Sequence, residues 1–139
     1  MSALHRFASP KFLPRLLLID GLATGATALM LILGAEMLAP VLQLPAGLLR
    51  TGGAICAPFA LWVLMLSRRV AVPHGAMAAV IAINFAWVAA SAWVAFGPTW
   101  QPAAFGVAFV CAQALVVLVF AELGWMGLRA MRPRPGVPA

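Results

Sequence analysis

Apolar residues run along this chain in four long stretches, separated by short clusters of proline, glycine and charged side chains. A helix needs about 20 apolar residues to cross about 30 Å of hydrocarbon at about 1.5 Å per residue. The stretches 14–37, 45–66, 73–96 and 102–128 meet that requirement. Each opens with a proline, which suits a first helical turn because that position has no intrahelical partner for its N–H. Each also closes at a breaker: Ala39-Pro40, Ser67-Arg68-Arg69, Gly97-Pro98, then Pro133 and Pro135. Short connections make consecutive helices antiparallel neighbours. The pattern predicts an all-α membrane protein with four transmembrane helices in an antiparallel up-down bundle.

Composition agrees with that pattern. Of the 139 residues, 65% are hydrophobic and only 9% are charged, against about a quarter charged in a soluble domain. The acids are Asp20, Glu36 and Glu122, too few to build an acidic metal cage. Cations report orientation, because basic loops are retained in the cytoplasm. Arg6, Lys11, Arg15, Arg68, Arg69, Arg129, Arg132 and Arg134 fall on one side of the predicted spans, and Arg50 alone on the other. Both termini are therefore expected in the cytoplasm, in the inner (plasma) membrane of a bacterium. The net charge of +6 is a topology signal rather than a nucleic-acid footprint, since the cations form no separate basic domain. Residues 1–13, with Phe7 and Phe12 among cations, are expected to lie along the cytoplasmic headgroups. Residues 129–139 are expected to form a basic, disordered cytoplasmic tail. The first apolar run is too long for an export signal, and Ala35-Glu36-Met37 is no small-x-small cleavage site.

The residues offer little chemistry. Cys56 and Cys111 share a depth but read as small core residues, with no C-x-x-C. His5 lies in the N-terminal arm and His74 at a helix mouth, so no histidine pair is placed to clamp a haem. Metal-ligand clusters, phosphate loops and nucleophile motifs are absent from the pattern. No cofactor and no enzymatic activity are expected.

Polar side chains inside a span are expensive, so each is a candidate functional group. Asp20, Thr24 and Thr27 share one face of the first helix, and Asn84, Trp87 and Ser91 share one face of the third. The fourth helix offers Gln113 and Glu122 on opposite faces. Asp20 and Glu122 lie at one depth, about 8 to 10 Å inside the cytoplasmic boundary. If the first and fourth helices touch, the two carboxyls are placed to share a proton; otherwise a neighbouring arginine is expected to neutralise each one. Asn84 and Gln113 are expected to bond across the third and fourth helices, with Trp87 in the core. Trp62, Trp93, Trp100 and Trp125 read as interfacial anchors. Glu36 and Arg50 are expected to form an interhelical salt bridge at the outer face.

Small residues let helices approach closely in lipid. Gly21 and Gly25 mark a packing stripe on the first helix, and Ala78, Ala82, Ala86 and Ala90 mark one on the third. Ala104, Ala108 and Ala112 mark another on the fourth. The third and fourth helices thus have two packing sides each, which predicts a second interface, with a copy of the chain or a partner membrane protein. Pro58 is expected to kink the second span. In outline the chain resembles the DoxX-like group of small bacterial inner-membrane proteins and the small multidrug transporters, a likeness of hydropathy alone. The transporters also carry an acid in their first helix, where this chain has Asp20, but it has no tyrosine and does not share their surrounding pattern. The leading expectation is a non-enzymatic accessory or assembly subunit acting through helix contacts. The alternative is a small oligomeric transporter or channel that exchanges protons at Asp20 or Glu122.

Overall fold

The computed structural model describes residues 4–131 and is all-helical in its regular structure over that range. Its helices are α1 (Leu4–Phe7), α2 (Phe12–Leu33), α3 (Ala35–Leu42), α4 (Ala46–Ser67), α5 (His74–Phe96) and α6 (Ala104–Ala130). Residues 1–3 of the expected arm and 132–139 of the expected tail lie outside the described residues. Four helices, α2, α4, α5 and α6, are long and apolar enough to cross a membrane. Their lengths of 22, 22, 23 and 27 residues correspond to about 33 to 40 Å. Length and composition together are those of a multi-pass integral membrane protein.

The main departure from the sequence pattern is at the end of the first span. The apolar run to Met37 does not form one helix, because α2 ends at Gly34 and the chain re-enters helix as α3. Gly34 serves both helices: its N–H bonds Met30 O at 2.8 Å, and its own carbonyl accepts from Leu38 at 2.9 Å. Pro40, expected as a terminator, lies inside α3. Only one intrahelical bond is lost to it there, close to the end of a short helix. The stop comes at Gln43, which adopts the left-handed conformation at φ 53° and ψ 45°. Leu44 N–H then reaches back to Ala39 O at 3.2 Å, closing the helix in a Schellman-type turn with Leu44 buried beneath it. Pro45 and Pro73 likewise sit just before α4 and α5 as extended caps, not in the first turn. α4 continues through Pro58.

Each long helix buries one stripe at the helical period. On α4 it is Leu49, Gly53, Cys56, Ala60, Val63 and Leu66; on α2 it includes Leu13, Leu17, Asp20, Gly21, Ala28 and Leu31. α2 packs most extensively on α4 and α5 on α6, while α2 also touches α6. A Cβ at Gly21 would meet Leu64, and one at Gly53 would meet Ile32 and the Ala28 carbonyl at 2.7 and 2.9 Å. Rising numbers on α2 thus meet falling numbers on α4, so this pair is antiparallel. Gly124 against Met77 and Ile81, and Gln113 against Trp87, show the same for α5 and α6. The end of α3 is tied to the start of α6, where Leu42 O accepts from Ala103 N–H at 3.0 Å. Gly106 sits against the same carbonyl, and any side chain there would collide with it.

Buried apolar residues form two clusters at opposite ends. One gathers Leu13, Leu17, Val63, Met77, Val80 and Leu128; the other gathers Leu31, Ala35, Leu42, Leu44, Leu49 and Val110. The polar residues of the spans lie between them.

Candidate functional site

Asp20 is the most deeply buried charged residue described, 2% exposed, because it shares the inward stripe of α2 with Leu13 and Leu17. Its Oδ2 accepts from Asn84 Nδ2 at 3.0 Å and its Oδ1 from Thr24 Oγ1 at 3.1 Å. The Asn84 bond joins α2 to α5, two helices whose backbones do not approach closely. One turn along α5, a second polar set begins. Trp87 Nε1 donates to Gln113 Oε1 at 2.8 Å, and Gln113 Nε2 donates to Ser91 Oγ at 2.9 Å and to Val110 O at 3.0 Å. This set joins α5 to α6. Thr27 Oγ1 donates back to Ala23 O within α2 at 2.9 Å.

Several expected pairings are thereby corrected. Asp20 and Glu122 do not meet, although α2 and α6 touch. The face that α6 turns inward carries Ala121, Gly124 and Leu128, and Glu122, about 100° from Ala121, is exposed. Asp20 is held by an amide and a hydroxyl, not by an arginine. Asn84 and Gln113 do not bond each other: Asn84 turns to Asp20, and Gln113 takes Trp87 and Ser91. Trp87 is half-buried, with its N–H used. Glu36 and Arg50 form a salt bridge, and both remain exposed. Gly21 faces Leu64 closely, whereas Gly25 is looser, a Cβ there lying 3.8 Å from Ala60. Ala82 and Ala86 are exposed.

No buried side-chain nitrogen or oxygen among the described residues lacks a hydrogen-bond partner. The two polar sets are therefore complete as interhelical ties, each such bond contributing about 1 kcal/mol in a membrane. They tie α2 to α5 and α5 to α6 in the middle of the bundle. Two cavities open beside them, of about 170 and about 200 Å³, with Thr27, Ile55, Trp87 and Gln113 in the walls of both. Among the described residues no group of His, Cys, Asp or Glu could hold a metal ion. Cys56 and Cys111 are free thiols.

Sequence reasoning missed Gln43, Gly53 and Gly106. The adjacent glycines 52 and 53 inside an apolar span were the available signal for a close approach. The fold and site together define a helical, polytopic membrane protein with a polar middle layer. No protein-family model, curated protein or solved structure matches the chain.

Proposed function

We propose that this protein is a non-enzymatic, four-span subunit of the bacterial inner membrane, an up-down bundle with both termini cytoplasmic. It serves as an accessory or assembly factor for another membrane protein, which docks on the outward face of α6. Glu122 carries this reading. It lies on one exposed stripe with Leu115, Val119 and Met126, and Ala104, Ala108 and Ala112 extend that stripe toward the other end of the helix. Among the described residues Glu122 has neither an ion pair nor a side-chain hydrogen bond. A charged side chain facing hydrocarbon costs about 2.5 to 3.5 kcal/mol at the centre of a span on insertion scales, and less toward the boundary. A partner helix that donates to the carboxylate removes that cost, and small residues beside it permit the approach. The exposed Ala82 and Ala86 on α5 offer a second such surface.

Asp20 supports the same view by contrast, since its carboxylate already holds the bundle together. A proton-coupled transporter would depend on Asp20 titrating; an accessory subunit needs only its hydrogen bonds. Mild-detergent isolation at native expression tests the choice. A stoichiometric partner that is retained by Asp20→Asn and lost by Glu122→Leu is expected. A pure homo-oligomer whose activity disappears in Asp20→Asn would favour transport instead.

A further inference from the structure

Asp20 is hydrogen-bonded but not charge-balanced. Its partners Asn84 and Thr24 are neutral, and among the described residues no salt bridge reaches it. The cavity of about 170 Å³ begins where those partners stand. Asn84 and Thr24 are both in its wall, held side by side because each bonds one oxygen of the same carboxylate. Asn84 is 4% exposed and donates through Nδ2, while its Oδ1 accepts from no described residue. No buried side-chain oxygen among the described residues lacks a partner, so Oδ1 keeps accessible surface, and the open space beside its residue is this cavity.

The other polar groups of the wall have engaged their donors. Thr24 O–H goes to Asp20, Thr27 O–H to Ala23 O, Trp87 N–H to Gln113, and the Gln113 amide N–H groups to Ser91 and Val110. Apart from one amide N–H of Asn84 and the weak thiol donor of Cys56, the remaining capacity of these groups is in acceptor oxygens. A buried negative charge stands behind them.

We propose that this cavity binds a lipophilic primary amine as its ammonium ion, its N–H groups donating to Asn84 Oδ1 and Thr24 Oγ1 and its apolar body lying among Phe59, Trp87 and Phe120. An ammonium offers donors and no acceptor, which is the complement of this wall. Its charge faces Asp20 across two neutral side chains, where the low dielectric keeps the attraction strong. The aromatic rings in the wall favour a cation over a neutral group. A purely apolar occupant would leave Asn84 Oδ1 without a donor and Asp20 without a counter-charge. A hard metal ion takes about six or more oxygen ligands, which this largely apolar wall does not supply. Entry is lateral, because the wall residues Ile55 and Ile83 are 56% and 42% exposed on α4 and α5, whose backbones do not approach closely. The outward Glu122 stripe of α6 takes no part, so the site stands or falls separately from the docking surface.

Equilibrium dialysis of the full chain in phosphatidylcholine nanodiscs, with naphthylmethylamine as the probe and empty nanodiscs as the blank, tests it. Saturable binding of one amine per chain is expected, about tenfold or more tighter than naphthylmethanol, which has the same body without the charge. Asp20→Asn removes the negative charge and should bring the amine down to the affinity of the alcohol. Ile55→Trp fills the cavity from its wall and should weaken both. The trimethylated ammonium keeps the charge but loses every N–H, and should bind less tightly than the primary amine. Circular dichroism checks that the helices of both variants persist, and the wild-type comparison of amine with alcohol decides if either does not fold. An amine held no more tightly than the alcohol, or equally by the wild type and a folded Asp20→Asn, overturns the proposal. Unchanged binding in a folded Ile55→Trp overturns the location, and equal binding of the trimethylated form overturns donation to Asn84 and Thr24.

Discussion

Asp20 and Asn84 depend on each other unequally. Replacing Asn84 with leucine leaves a buried carboxylate with Thr24 as its remaining partner, and an unsatisfied buried group costs about 1 to 3 kcal/mol. Asp20→Asn keeps an acceptor oxygen in place and should be milder. Reversible unfolding in mixed micelles should rank Asn84→Leu well below Asp20→Asn, and equal losses would mean that the bond does not tie α2 to α5. Gln43 gives the opposite sign. A non-glycine residue in the left-handed region costs about 1 to 2 kcal/mol, so Gln43→Gly should stabilise by about 1 kcal/mol in the same assay. A destabilised Gln43→Gly would show that the glutamine side chain matters more than its backbone.

At the level of helices, close approach decides what can be substituted. Gly53→Val must push into Ile32 and the Ala28 carbonyl, where overpacking costs about 1 to 3 kcal/mol. Gly25→Ala enters ordinary contact with Ala60 and should be nearly neutral. Comparing the two separates a tight α2–α4 interface from one held by composition alone, and equal effects would contradict the tight one. The four long helices were legible in the sequence because each is a sustained apolar run bounded by proline or charge. α3 was not, because its residues are as apolar as those of α2, and the break depends on backbone angles at Gly34. The polar residues were legible for the same reason that makes them costly: few occur among so many apolar ones. Their partners were not, since a rotation of one residue, about 100°, sends Glu122 outward while Ala121 stays inside.

Across the whole molecule, two antiparallel pairs meet through apolar clusters at the ends and hydrogen bonds in the middle. The proposed orientation has a direct consequence. With Cys56 and Cys111 replaced by alanine, Arg69→Cys should be protected from an impermeant maleimide in intact cells, and Gln101→Cys should react. The reverse pattern would invert the topology. Beyond orientation, among the described residues the bundle satisfies its interior polar groups, and the outward Glu122 has no ion pair or side-chain hydrogen bond. That contrast is the basis for assigning the protein a partner. Site-specific photocrosslinking from Val119, one turn from Glu122 on the exposed α6 stripe, tests it most directly. In native membranes a single adduct to a different membrane protein is expected, present in the Asp20→Asn background and lost with Glu122→Leu. Adducts to lipid alone, or a protein adduct indifferent to Glu122, would contradict the assignment.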